Sequence, residues 1–187
     1  TTITAGSIQN GPVYLNAAIN TTNSGTSSSG AGGNLSIAAS NSVANNIGAF
    51  EWVPALNIGG NVDIQANSSS NSSWGFVVYY RGSSSPITAY GDLTIRSSGL
   101  TLAGDGLIYI TSALTSTTGN INLTATSTST AATTNPGVSS TSTGTLTANS
   151  GSITINSTSS ASTAVSLAGA MSAKSISVTG AATTAST

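Results

Sequence analysis

Apolar and polar positions alternate along this chain in short bursts that share one pattern. Gly11-Pro-Val-Tyr-Leu-Asn-Ala17 comes first, then Gly33-Asn-Leu-Ser-Ile-Ala-Ala39, Gly60-Asn-Val-Asp-Ile-Gln-Ala66 and Gly91-Asp-Leu-Thr-Ile-Arg-Ser97. Gly119-Asn-Ile-Asn-Leu-Thr-Ala125 and Gly151-Ser-Ile-Thr-Ile-Asn-Ser157 follow, and Lys174-Ser-Ile-Ser-Val-Thr-Gly180 is a degenerate copy without the leading glycine. In each, two Val, Leu or Ile residues flank one residue that is polar everywhere but at Tyr14. Period-two alternation of this kind puts the aliphatics on one face of a strand and the intervening side chains on the other. The third position on the apolar face is small throughout (Ala17, Ala39, Ala66, Ser97, Ala125, Ser157, Gly180), as a bend toward a neighbouring sheet requires.

The copies begin 22, 27, 31, 28, 32 and 23 residues apart. That spacing is too long for a hairpin and shorter than the roughly 40 residues of a propeller blade. It predicts a coil of a few short strands with polar outgrowths of variable length. Further strands are expected just upstream of several copies, at Leu56–Ile58, Ile87–Ala89 and Leu146–Ala148. In the fourth coil, 100–102, 106–110 and Leu114 supply more. The predicted architecture is an all-β parallel solenoid of about seven three-sided coils. It occupies 1–187 as one segment of a longer rod or filament, with neighbouring rungs about 4.8 Å apart. Polar stretches such as 127–143 are expected to bulge outward.

Two corner positions stand out. The leading glycines Gly11, Gly33, Gly60, Gly91, Gly119 and Gly151 predict either positive φ or close backbone approach. The position after them is Asn34, Asn61, Asp92 and Asn120 in four consecutive copies, with Pro12 and Ser152 on either side. Stacked from coil to coil, such short side chains are expected to bond the backbone of the next corner.

Composition narrows the function classes. Seven side chains are charged, 4% of the chain, with a net charge of −1. Ordinary soluble domains carry about 25%. Solubility therefore falls to Ser, Thr and Asn, a surface typical of secreted fibres. Too few Lys and Arg are present to neutralise a run of nucleic-acid phosphates or to hold an anionic membrane. No apolar run approaches the roughly 18 residues of a membrane span, so membrane insertion is not expected. The chain starts at Thr1 without Met or a leader, which suggests processing or excision from a larger protein. With no cysteine, stability is expected to come from a continuous stacked core rather than disulfides.

The Gly-Asn-aliphatic-x-aliphatic-x-Ala motif, the Ser/Thr-rich spacers and the absence of Cys and His together resemble the β-helix of filamentous-haemagglutinin-type adhesins of bacterial two-partner secretion. The resemblance spans Gly11 to Gly180 and implies a right-handed coil. It also implies a non-catalytic, extracellular role as an adhesin stalk or matrix filament at the cell surface. Neighbouring copies, or continuation of the same rod, would be its partners, and host or microbial surface glycans its ligands.

Chemistry has little to work with. Without His or Cys, no Ser-His or Cys-His nucleophile can be assembled. Paired carboxylates remain, because β-helices also host polysaccharide-cleaving enzymes. Asp63 and Asp92 lie at offset positions of adjacent copies, and register could bring them together. Asp105, between Gly104 and Gly106, reads as a turn residue. The expectation is no enzyme, no cofactor and no metal. Six of the seven charged residues and eight of the nine aromatics fall between Phe50 and Tyr109. Trp52, Trp74, Tyr79, Tyr80 and Arg81 in that block form a candidate contact patch, with plugging of wider coils as the equal alternative. Of six Asn-x-Ser/Thr sequons, Asn67 and Asn71 are the candidate glycosylation sites, placed in a loop. Ice binding is a further alternative. The row between the paired aliphatics (Tyr14, Ser36, Asp63, Thr94, Asn122, Thr154, Ser177) carries no regular Thr ladder to favour it.

Overall fold

A computed structural model of the chain describes residues 2–4, 13–15, 18–21, 32–41, 50–52, 55–72, 78–80, 86–101, 107–128, 136–160 and 163–182. Those residues form strands and turns without a helix. In chain order the strands are β1 (Thr2–Thr4), β2 (Val13–Leu15), β3 (Ile19–Asn20), β4 (Leu35–Asn41), β5 (Phe50–Trp52), β6 (Leu56–Ile58), β7 (Val62–Ser72), β8 (Val78–Tyr80), β9 (Ile87–Ala89) and β10 (Leu93–Thr101). They continue with β11 (Ile108–Ile110), β12 (Leu114–Ser116), β13 (Ile121–Ser127), β14 (Val138–Ser140), β15 (Leu146–Ala148), β16 (Ser152–Ser159), β17 (Val165–Leu167), β18 (Met171–Ser172) and β19 (Ser175–Ala182).

Every third strand stacks on the one three before it. The first sheet is β1-β4-β7-β10-β13-β16-β19, the second β2-β5-β8-β11-β14-β17 and the third β3-β6-β9-β12-β15-β18. The pairings between β4 and β7 and between β16 and β19 show the arrangement, which is parallel as in every pair. The chain is therefore a parallel β-solenoid with three faces. Seven strands stack on one face and six on each of the others.

Six motif copies, those beginning at Gly33, Gly60, Gly91, Gly119, Gly151 and Lys174, lie on the first sheet as β4, β7, β10, β13, β16 and β19. The copy at Gly11 does not. Its strand β2 pairs with β5 in the second sheet, while the first rung of the motif sheet is β1, with Ile3 opposite Ile37. Alternation alone cannot assign a three-residue strand to a face, because all three sheets bury the same period-two pattern. Gly11 itself lies outside the described residues. The stretch 127–143 is also corrected in part, since β14 returns to the second sheet and Gly137, Val138, Ser139 and Ser140 are buried.

The core is a set of columns running along the stack. Leu35, Val62, Leu93, Ile121 and Ile153 form one, and Ile37, Ile64, Ile95, Leu123 and Ile155 the next, all buried. The small third column, Ala39, Ala66, Ser97, Ala125 and Ser157, is buried too, as its place at the bend requires. Two of its members also bond there: Ser97 Oγ donates to Leu107 O at 3.3 Å and Ser157 Oγ to Ala164 O at 2.8 Å. The third sheet adds Leu56, Ile87, Leu114 and Leu146, and the second Ile108 and Val138. At β19 the columns reach an open face, where Ile176 and Val178 are 45% and 46% exposed while Ile153 and Ile155 beneath them are 0%.

Candidate functional site

The corner after each motif glycine is where the polar chemistry concentrates. Asn34 Oδ1 accepts from Asn61 N–H at 2.8 Å, Asn61 Oδ1 from Asp92 N–H at 2.9 Å and Asp92 Oδ1 from Asn120 N–H at 2.7 Å. Asn120 Oδ1 then accepts from both the backbone N–H and the hydroxyl of Ser152, each at 2.9 Å. Each Asx side chain reaches one rung forward and satisfies an amide that the strand ladder leaves free. The column runs unbroken over five rungs from Asn34 to Ser152, in the way expected from the recurring Asx. None of Gly60, Gly91, Gly119 and Gly151 adopts left-handed backbone, so close approach explains the glycines there. At Gly119, for example, a Cβ would sit 2.5 Å from Asp92 Oδ1 and 2.6 Å from Asp92 N.

Each of the two carboxylates bonds a group on a neighbouring rung. Asp63 is in register with Ser36 and Thr94 on the outer face of the first sheet. Both its oxygens accept from Arg96 Nη2 at 2.7 Å, across one rung on the diagonal. Asp92 belongs to the corner column, where Asn120 Nδ2 also donates to its Oδ1 at 3.1 Å. One acid therefore ties two strands and the other ties two corners. Asp105 lies outside the described residues. Among the described residues no group of three or more His, Cys, Asp or Glu is placed to hold a metal ion, and no helix is long and apolar enough to cross a membrane.

Register divides the aromatic block. Trp52 is opposite Tyr80, and Tyr79 is opposite Tyr109. Tyr109 is half-buried between the fully buried Ile108 and Ile110. Trp74 and Arg81 lie outside the described residues. The sequons are moved as well: Asn67 and Asn71 lie within β7, not in a loop, and Asn67 Oδ1 accepts from Ser98 Oγ at 2.7 Å.

One surface was not anticipated. On the third sheet the outer row is Asn20, Asn57, Thr88, Thr115, Thr147 and Ser172, in register from rung to rung. The residues just before these strands, Pro86, Ala113, Thr145 and Ala170, also stack, each accepting an N–H from the rung beneath. The face is small, uncharged and regular. Its signal in the sequence is a recurring small-aliphatic-polar tripeptide upstream of the motif glycines, as in Ala113-Leu-Thr115 and Thr145-Leu-Thr147. What these faces define is a parallel β-solenoid with a polar corner column. Comparison with protein-family models, curated proteins and solved structures returns no match to this chain.

Proposed function

We propose that this chain is a non-catalytic structural segment of a secreted bacterial fibre, an adhesin stalk or matrix filament whose rod is the stack of parallel strands. The observation that carries the reading is that Asp63 and Asp92, the carboxylates offered for chemistry by adjacent motif copies, both bond neighbouring rungs. Core columns that continue from Leu35 to Ile155 support it, as does the resemblance of the motif to haemagglutinin-type adhesins. The coil is right-handed, following the strong preference of parallel strand-crossover-strand connections. It comprises about seven coils, the last represented by β19 alone. Copies of the chain, or its continuation, extend the rod at its ends. Surface glycans are the ligands of the block holding Trp52, Trp74, Tyr79, Tyr80 and Arg81. Gold-labelled antibody against the chain, imaged on producing cells, is expected to decorate fibres at the surface or in the matrix. Label confined to the cell interior, or release of reducing ends from a polysaccharide panel, overturns the reading.

A second reading, ice binding, is favoured by the third-sheet face. Its Thr88, Thr115 and Thr147 column, flanked by a row of small residues, offers water a regular array that the motif sheet lacks. Thermal hysteresis in the purified chain, lost on Thr115→Tyr, would establish it. Its absence leaves the structural reading alone.

A further inference from the structure

We propose that an Asx side chain and the glycine of the following rung form a paired key that fixes how rungs stack, with Asn61 and Gly91 as the clearest instance. The atom nearest to a Cβ built on Gly91 is Asn61 Oδ1, followed by Asn61 Cγ at 3.2 Å. That same Oδ1 accepts the N–H of Asp92, the residue after the glycine. One oxygen therefore holds the next corner in place and occupies the volume any larger residue would need there.

The chain repeats this relation and breaks it together. Asn34, Asn61, Asp92 and Asn120 are followed one rung later by Gly60, Gly91, Gly119 and Gly151. In each case the Asx oxygen lies within 2.7 Å of the Cβ position. Ser152 is short, and its hydroxyl donates back to Asn120 Oδ1. The next rung opens with Lys174, whose N–H still bonds Gly151 O at 2.9 Å. Loss of the Asx and loss of the glycine thus coincide at one step, which accounts for the degenerate copy.

The key has a direction and two grades. Each keyed rung presents its acceptor to the rung that follows and its glycine to the rung before. A slip of one residue would push a Cβ onto the oxygen and take the N–H away from it. At Gly91 the obstruction is the Asn61 side chain, with the nearest backbone atom, Gly60 C, at 3.6 Å. At Gly151 the backbone carbonyl of Gly119 is closer still than Asn120 Oδ1, so shortening the side chain cannot make room.

This difference sets the test, which is independent of the fibre reading. Thermal midpoints by far-ultraviolet circular dichroism are compared for Gly91→Ala, Asn61→Ser and the double variant. Gly91→Ala is expected to lower the midpoint strongly in the wild-type background. In the Asn61→Ser background the same substitution is expected to leave it unchanged. At the backbone-limited corner, Asn120→Ser is expected not to rescue Gly151→Ala. Equal cost of Gly91→Ala in both backgrounds overturns the proposal. If Gly91→Ala alone fails to fold, a cooperative melt from the double variant supports the key, and an unfolded double variant overturns it.

Discussion

Truncating Ile95 to Ala removes apolar volume from the centre of the stack, where the wild-type side chain is 0% exposed and lies between Ile64 and Leu123 of the adjoining rungs. The deleted carbons amount to about three methylene equivalents at ~0.8 kcal/mol each, roughly 2.4 kcal/mol of lost transfer energy. A cavity adds to this, because hydrogen bonds on both sides hold the rungs about 4.8 Å apart and prevent collapse. The expected total is about 3–5 kcal/mol, within the usual cost of large-to-small core substitutions. For a chain of this length that is on the order of 6–20 °C in thermal midpoint. Val178→Ala is the matched control, since Val178 is 46% exposed in the last described rung of the same sheet. It loses about half of two methyl groups' burial and is expected to cost under about 1 kcal/mol. Urea titrations followed by circular dichroism measure both. Similar costs for the two variants would refute the columnar core and its open face at β19.

Other substitutions separate the remaining contacts. Asn120→Ala strands the N–H and hydroxyl of Ser152, and a loss of about 1–3 kcal/mol is expected in the same titration. Ser157→Ala removes the hydroxyl's bond to Ala164 O, but that carbonyl still accepts from the N–H groups of Gly137 and Val138, so a cost of about 0.5–1.5 kcal/mol is expected. Arg96→Ala breaks an ion pair whose side chains are 49% and 45% exposed. It is expected to cost under about 1 kcal/mol, with the difference from wild type shrinking further in high salt.

Much of the motif sheet is legible in the sequence because its strands are long and carry three inward positions in a row. Leu93, Ile95 and Ser97 in β10, for instance, give the period, the bend and the leading glycine together. The corner column is legible for a related reason, since Asn or Asp recurs at one offset from glycine. The second and third sheets are harder. Their strands span two or three residues, so Val13-Tyr-Leu15 looks the same whether it belongs to one sheet or another. Thr2–Thr4, with a single aliphatic residue, gives no signal at all, although it supplies the first rung. Function was read from types of residue, whereas the structure sorts those residues by row. Register pairs Tyr79 with Tyr109 and Trp52 with Tyr80, and it takes Asp63 to a strand and Asp92 to a corner. The Asx–Gly pairing and the uniform third-sheet face depend on distances between rungs that spacing along the chain does not reveal.

The central claim is that rungs far apart in sequence stack in register along one axis. Because the chain has no cysteine, spin labels can be placed at will on the outer row of the first sheet. Ser36, Thr94, Thr154 and Ser177 belong to that row, linked through the paired strands. Pulsed dipolar spectroscopy on the pairs Ser36/Thr94, Ser36/Thr154 and Ser36/Ser177 should give separations near 10, 19 and 24 Å, about 4.8 Å for each rung crossed. Narrow distributions rising in that linear order are the predicted result. Broad distributions, or distances that do not scale with the number of rungs, would contradict the solenoid and the function built on it.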